Sequence, residues 1–273
     1  MADSSIKALP NCDRRTAELE QEMEIARAVQ RSLVPPACPM SMNGVAVAAY
    51  YEPAGYCGGD FWTLRALDDN RMMIVVGDVV GHGFPSALIT AFAMGCCEGT
   101  QPGSRPEAVL RLLNDAMLRA GKGSFLLSCF VTIIDSCQRT VHYANAGHTL
   151  PFVAHCEQPD GKWVLSSLSA RGSLLGKDEN PAFDPRSSLF RAGDVVCWFS
   201  DGLTELRRAD GEAWGEKRLR NALLASLQQR RTDGESDGAG RVSSVLDQVL
   251  AARREFGSAE RTDDVTLIVA ELR

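Results

Sequence analysis

The stretch Tyr56–Ala93, YCGGDFWTLRALDDNRMMIVVGDVVGHGFPSALITAFA, constrains this chain more than any other. Two apolar runs, one opening and one closing on an aspartate beside glycine, flank the turn signal Asp68-Asp69-Asn70. That pattern predicts a β-hairpin, and Pro85 then opens a helix. If Leu67 pairs with Arg71, Asp60 falls directly opposite Asp78. Residues so paired share a face, with Cβ atoms roughly 4.5–5.5 Å apart. Two carboxylates at that spacing repel unless positive charge lies between them. Divalent ions about 3.5–4 Å apart, as used by hydrolytic enzymes, fit the gap. The Asp60 face also carries Trp62, Leu64, Ala66, Met72, Ile74 and Val76, and the opposite face Phe61, Met73 and Val75. Both faces need cover, so the hairpin belongs to a sheet inside a layered fold.

Composition narrows the partners. The net charge of −6 gives no electrostatic case for nucleic acid. No apolar run approaches the ~20 residues of a membrane span, and MADSSIKALPNCDRR lacks the apolar core of a signal peptide. The nine cysteines are scattered without a C-x-x-C pair, the usage of reduced thiols in a cytoplasm. None is followed six residues later by arginine, so the thiolate-phosphatase arrangement is absent.

Along the chain, residues 1 to about 12 are polar and expected to be mobile. Helical spacing then runs from Asp13 to Leu33 through Leu19, Met23, Ala26 and Gln30, widened by Ile25 and Val29, and Pro35-Pro36 stop it. This helix either packs on the domain or meets a second copy or an activating partner. Gly44–Tyr51 reads as a buried strand. The helix after Pro85 is apolar nearly all round and is expected to be buried. Pro106–Ala120 is amphipathic, with Val109, Leu112, Leu113, Ala116 and Met117 as its stripe. Strand periodicity follows over 125–135, 140–146, 151–156, 162–169, 187–191 and 195–200. Helices are expected over 216–231 and 242–256 around a flexible loop at 232–240, and VTLIVAEL closes the chain as a strand. Grouped strands and grouped helices make an α+β layered domain rather than alternating βαβ units.

Asp201 and the Asp263-Asp264 pair join Asp60 and Asp78 as acids at strand ends. Singly, each is accounted for by the preference of Asp for turns. Together, in segments that share one sheet core, they form a set of hard oxygen donors. Without a His or Cys pattern beside them, such donors select Mg²⁺ or Mn²⁺ over zinc.

Seven fragments, in order, carry a resemblance: ARAVQRSLVPP (26–36), EPAGYCGGDFW (52–62), VGDVVGHGFPSALI (76–89), YANAGHTLPF (143–152), SLLG (173–176), GDVVCWFSDGLTEL (193–206) and TDDVTLIV (262–269). The chain resembles the metal-dependent protein phosphatases (PPM), in their SpoIIE/RsbU-like bacterial branch. The resemblance implies a central antiparallel β-sandwich flanked by helices on both outer faces, with an N-terminal helical extension. It divides the chain into a mobile N-terminus and regulatory or dimerisation helix over 1–40 and a phosphatase domain over 41–273. It implies two Mn²⁺ or Mg²⁺ ions, with Asp78 bridging them, Asp60, Asp201 and Asp263 as further ligands, and the Val79 carbonyl on one ion. Asp264 is expected as a hydrogen-bonding neighbour. His82 is expected to shape its loop, with a catalytic contact as the alternative, and His148 to pack its loop or make a subunit contact. The implied reaction is hydrolysis of phosphoserine or phosphothreonine on a small regulator of the anti-sigma-factor-antagonist type by a metal-activated water, in a bacterial cytoplasm. The helix at 13–33 is the implied dimer or activator contact. Two other readings stay open: a degenerate phosphatase domain serving as a scaffold, and a hydrolase of small phosphate esters.

Overall fold

A computed structural model describes residues 10–36, 39–81, 83–121, 123–157, 161–229, 238–257 and 263–273. In chain order the elements are α1 (Pro10–Leu33), β1 (Met40–Met42), β2 (Val45–Glu52), β3 (Asp60–Ala66), β4 (Arg71–Val79), α2 (Phe84–Glu98), α3 (Pro106–Gly121), β5 (Leu127–Asp135) and β6 (Thr140–Ala146). They continue with β7 (Phe152–Glu157), β8 (Lys162–Ser167), β9 (Arg186–Leu189), β10 (Val195–Phe199), α4 (Asp201–Thr204), α5 (Gly215–Gln229), α6 (Gly238–Phe256) and β11 (Val265–Leu272).

The strands form two antiparallel sheets. One has the order β1-β2-β11-β10-β7-β8 and the other β3-β4-β5-β6-β9. Strand alternation builds three apolar layers from them. Between the sheets lie Val45, Val47, Trp62, Ile74, Val76, Phe130, Val196, Trp198, Ile268 and Ala270. Alternate residues of the six-stranded sheet (Ala46, Ala48, Cys197, Leu267) meet Leu219, Leu223, Val245 and Val249 of α5 and α6. Alternate residues of the five-stranded sheet (Phe61, Met73, Val75, Val131) meet Ile89, Ala93, Leu110 and Leu113 of α2 and α3. The result is the expected α+β sandwich with helices on both outer faces. Among the polar contacts between the sheets, Trp198 Nε1 donates to Thr132 Oγ1 over 2.9 Å within the middle layer.

The register of the β3–β4 hairpin is set by its turn. Asp68 Oδ1 accepts the Asn70 and Arg71 N–H groups, and the Leu67 N–H reaches the Arg71 carbonyl over 2.8 Å. Asx turns of this kind lock a tight reversal. The ladder then runs Leu64↔Ile74, Trp62↔Val76 and Asp60↔Asp78, the pairing expected from the sequence.

Five details differ from expectation, the first being the three-residue strand β1 (Met40–Met42), where no strand was expected. The first helix begins at Pro10 rather than Asp13, because Pro is tolerated in a helix's first turn; residues 1–9 of the expected mobile segment lie outside the described residues. Phe84, Leu88 and Phe92 are exposed on α2, which was expected to be buried all round. An outer-layer helix has a sheet on one side only, so its far face stays open whatever its composition. Gly238–Gly240 are helical, not loop. There a Cβ on Gly238 would stand 1.8 Å from the Arg273 guanidinium, so tertiary contact overrides the poor helix propensity of glycine. The rest of the expected loop, 232–237, and the end of the expected helix at 230–231 lie outside the described residues. The short α4 after β10 had no periodic signal to reveal it.

Candidate metal centre

At one end of the sandwich the inner-facing residues change from apolar to polar on every central strand. On β3, Trp62 gives way to Asp60; on β4, Val76 to Asp78; on β5, Phe130 to Ser128; on β11, Ile268 to Thr266; after β10, Trp198 to Ser200. The period-2 alternation of a strand puts all five on the interior side of the rim.

Asp60 is 2% exposed and sits directly across from Asp78. Its Oδ2 accepts the Thr266 hydroxyl at 2.6 Å. Burial and then the Asp78 carboxylate push its pKa well above the usual carboxylate range, while hydroxyl hydrogen bonds from Ser200 and Thr266 oppose the shift. Asp78 is pushed up to about 7, by burial first and then by Asp201, Asp263 and Asp264. Asp263, exposed at the rim but partly desolvated, is raised first by that desolvation, with Asp201, Asp264 and Glu205 adding to it against the Asp264 N–H bond. The five acids singled out in the sequence thus gather at one rim and repel one another, although they come from four separate segments. Asp201 enters at the first turn of α4, where its carbonyl accepts the Glu205 N–H and the Thr204 hydroxyl.

The Val79 carbonyl lies against the Gly58-Gly59 loop. A Cβ on Gly59 would stand 2.7 Å from that oxygen and 3.1 Å from Asp78 Oδ1, so only glycine permits the approach. Asp264 is a clamp for the same loop. Its Oδ1 accepts the Ala54 N–H at 2.7 Å, and its Oδ2 accepts the N–H groups of Gly59 at 2.5 Å and Asp60 at 3.2 Å. With both oxygens occupied it acts as the hydrogen-bonding neighbour expected from the sequence. From α1, Gln30 grips the loop too. Its Nε2 donates to the Gly58 carbonyl at 2.8 Å and to Thr90 Oγ1 at 3.0 Å, and its Oε1 accepts the Gly58 N–H at 3.0 Å. In the sequence Gln30 read only as a member of the α1 stripe, Ser200 as the end of a strand and Thr266 as a strand residue.

His148 is buried, and burial pushes its imidazole down to about 4. Its Nδ1 shares a hydrogen bond of 2.8 Å with Ser128 Oγ, the cross-strand neighbour of Asp78. Asn145 holds the His148 backbone at both N–H and carbonyl, which makes it a loop-packing residue as expected. His82 lies outside the described residues.

The donor chemistry at the rim fits hard divalent cations: carboxylates and a peptide carbonyl, with mutual repulsion for a cation to relieve. Among the described residues, no three acids, histidines or cysteines stand close enough to one another to form a closed cation cage. The fit therefore rests on donor type and charge.

Comparison with known proteins agrees with the architecture. The chain is 29% identical over 197 residues to the phosphoserine phosphatase RsbU of Bacillus subtilis, covering 71% of this chain and 56% of that relative. It is 27% identical over 196 residues to the phosphoserine phosphatase RsbP of the same organism, covering 68% and 46%. It thus spans about half the length of these relatives. The SiaA-PP2C domain of Pseudomonas aeruginosa shares the fold at a TM-score of 0.76 with 19% identity, over 95% of this chain and 98% of that one. The RsbU and RsbW domains of Rv1364c from Mycobacterium tuberculosis superpose at 0.69 with 25% identity, over 88% and 63%. The family model for stage II sporulation protein E (SpoIIE) matches residues 68–273, a stretch that begins after Asp60 and includes Asp78, Asp201 and Asp263. The chain belongs to the SpoIIE family, in the SpoIIE/RsbU-like branch of the PPM phosphatases that its motifs resemble.

Proposed function

We propose that this protein is a divalent-metal-dependent serine/threonine phosphoprotein phosphatase, with the rim acids as its metal site. The observation that carries the reading is the pair Asp60 and Asp78, in direct register and both raised in pKa by burial and by neighbouring acids. In this reading Asp78, Asp60, Asp201, Asp263 and the Val79 carbonyl would hold two Mn²⁺ or Mg²⁺ ions, with Asp78 the central ligand. Bound ions supply an acidified water as nucleophile and positive charge for the phosphoryl oxygens. The chain's own part is positional. The Asx turn at Asp68 holds the register, the Gly58-Gly59 loop brings backbone close to the ligands, and Asp264 and Gln30 fix that loop. A solved relative of the same fold, RsbX, was crystallised in complex with magnesium, which favours an oxygen-ligated hard cation here.

The substrate class that fits is a phosphorylated protein regulator of the anti-sigma-factor-antagonist type. Its support is the resemblance together with relatives named as phosphoserine phosphatases. Residues 1–40 serve in this reading as a regulatory segment on the domain at 41–273. Exposed Leu19, Ile25, Val29 and Leu33 on α1 suit a second copy or an activating partner. No helix among the described residues is long and apolar enough to cross a membrane.

The test is hydrolysis of a phosphoserine protein with and without Mn²⁺. Activity should require the metal, and Asp78→Ala should lower kcat on the order of 10³-fold. Turnover that survives EDTA or Asp78→Ala would refute the assignment. A rate on free phosphoserine matching that on the phosphoprotein would favour a small-ester hydrolase instead.

A further inference from the structure

The two central aspartates are held differently. Asp60 has its Oδ2 taken by Thr266, a residue of the opposite sheet with 0% exposure. Thr266 is itself fixed: its N–H donates to Ser200 Oγ at 2.9 Å, and the Ser200 N–H donates to the Thr266 carbonyl at 3.1 Å. Ser200 is also fully buried, and its hydroxyl points to the Asp264 carbonyl at 3.5 Å. Thr266 belongs to the six-stranded sheet, with Ser200 just past its strand β10, and Asp60 belongs to the five-stranded one, so the Thr266–Asp60 bond spans the sandwich. The strand pattern makes this placement deliberate in a physical sense. Thr266 continues the inner face of Ile268 and Ala270, and Ser200 continues that of Val196 and Trp198. Apolar residues at these two steps would extend the core and leave a buried carboxylate without a donor, a costly arrangement.

We infer that Thr266, braced by Ser200, is a positioning residue that grips Asp60 by one carboxylate oxygen and leaves the other to face a divalent ion. Hydrogen-bond partners behind a ligand orient it, and losing one costs roughly 10–100-fold in metal affinity. The inference rests on the proposed metal site. It adds that the six-stranded sheet, whose strands β10 and β11 are flanked by Asp201 and Asp263, also shapes the site through the Thr266 hydroxyl. With Oδ2 held by Thr266, Oδ1 is the Asp60 oxygen that would be turned toward an ion.

The test is calorimetric titration of the metal-stripped full chain with Mn²⁺, alongside thermal melts without metal. Thr266→Val preserves shape and removes the hydroxyl; Thr266→Ser restores it. Mn²⁺ should bind Thr266→Val about tenfold or more weakly, and Thr266→Ser should return affinity to within about threefold of wild type. Adding Thr266→Val to Asp60→Asn should cause no further loss, because the threonine acts through that carboxylate. If Thr266→Val does not fold by the metal-free melt, Thr266→Ala replaces it with the same expected results. Wild-type affinity in a folded Thr266→Val, equal defects in the Val and Ser variants, or an undiminished added loss on Asp60→Asn each overturn the positioning role. A wild-type chain that binds neither Mn²⁺ nor Mg²⁺ overturns the metal site and this role together.

Discussion

At the scale of single residues, the rim separates ligand candidates from the groups that hold them. Asp264 shows the difference most clearly. It neighbours Asp263 in sequence, yet it is buried with three backbone N–H groups on its carboxylate, whereas Asp263 is exposed. Cutting Asp264 back to Ala strands those donors, and unsatisfied buried groups cost about 1–3 kcal/mol each. Asp264→Ala should therefore lose on the order of 2–4 kcal/mol in chemical denaturation, with Asn partly restoring it because one carbonyl oxygen still accepts. A metal-free Asp264→Ala protein as stable as wild type would show that the clamp is dispensable.

At the scale of elements, α1 is joined to the site through one side chain. Its apolar Ile25, Val29 and Leu33 are exposed along a groove shared with Phe84 and Leu88 of α2, whereas Gln30 is buried. Gln30 bonds both sides of the Gly58 peptide and Thr90 of α2, so α1, α2 and the loop before Asp60 meet at a single amide. Gln30→Leu keeps the volume but leaves the Gly58 N–H and carbonyl without their partner. It should cost about 1–3 kcal/mol. It should also raise amide exchange in the peptides spanning residues 56–60 and α1 while leaving the central strands protected. Unchanged exchange in that loop would mean that α1 is not coupled to it.

At the scale of the whole molecule, the sandwich holds more buried negative charge than it can neutralise alone. Asp78 titrates near 7 in the folded metal-free chain against an ordinary 3.8, and Asp60 is raised in the same direction. Between those two pH values the folded chain keeps protons that the unfolded chain has released. Stability therefore falls as pH rises from about 4 to about 7 on account of these groups. In EDTA, the Tm should be lower at about pH 8 than at about pH 5, and Asp78→Asn should flatten part of that slope. Mn²⁺ should raise Tm more at the higher pH, where protons no longer compete for the carboxylates. A wild-type slope shared by Asp78→Asn would assign it to other groups.

Hydrophobic periodicity carried the layered α+β class and most of the strands, and the turn signal carried the hairpin register, because strand alternation and an Asx turn are local rules. Leu67, Asp68 and Arg71 set that register within five residues, and it decided that Asp60 faces Asp78. Asp201, Asp263 and Asp264 were legible as acids at strand ends, but not their unequal roles. What Asp264 clamps lies about two hundred residues away in the chain, at Ala54, Gly59 and Asp60. Thr266 and Ser200 had no signal at all, since a polar residue ending an apolar strand looks the same whether it meets water or a carboxylate. The open face of α2 was hidden for the same reason: composition reports how apolar a helix is, not how many layers cover it. Sequence by itself determined which residues carry charge and which face of each strand they share. Only the packing of one sheet on the other decided which hydroxyl meets which carboxylate, because that contact exists in no segment shorter than the fold.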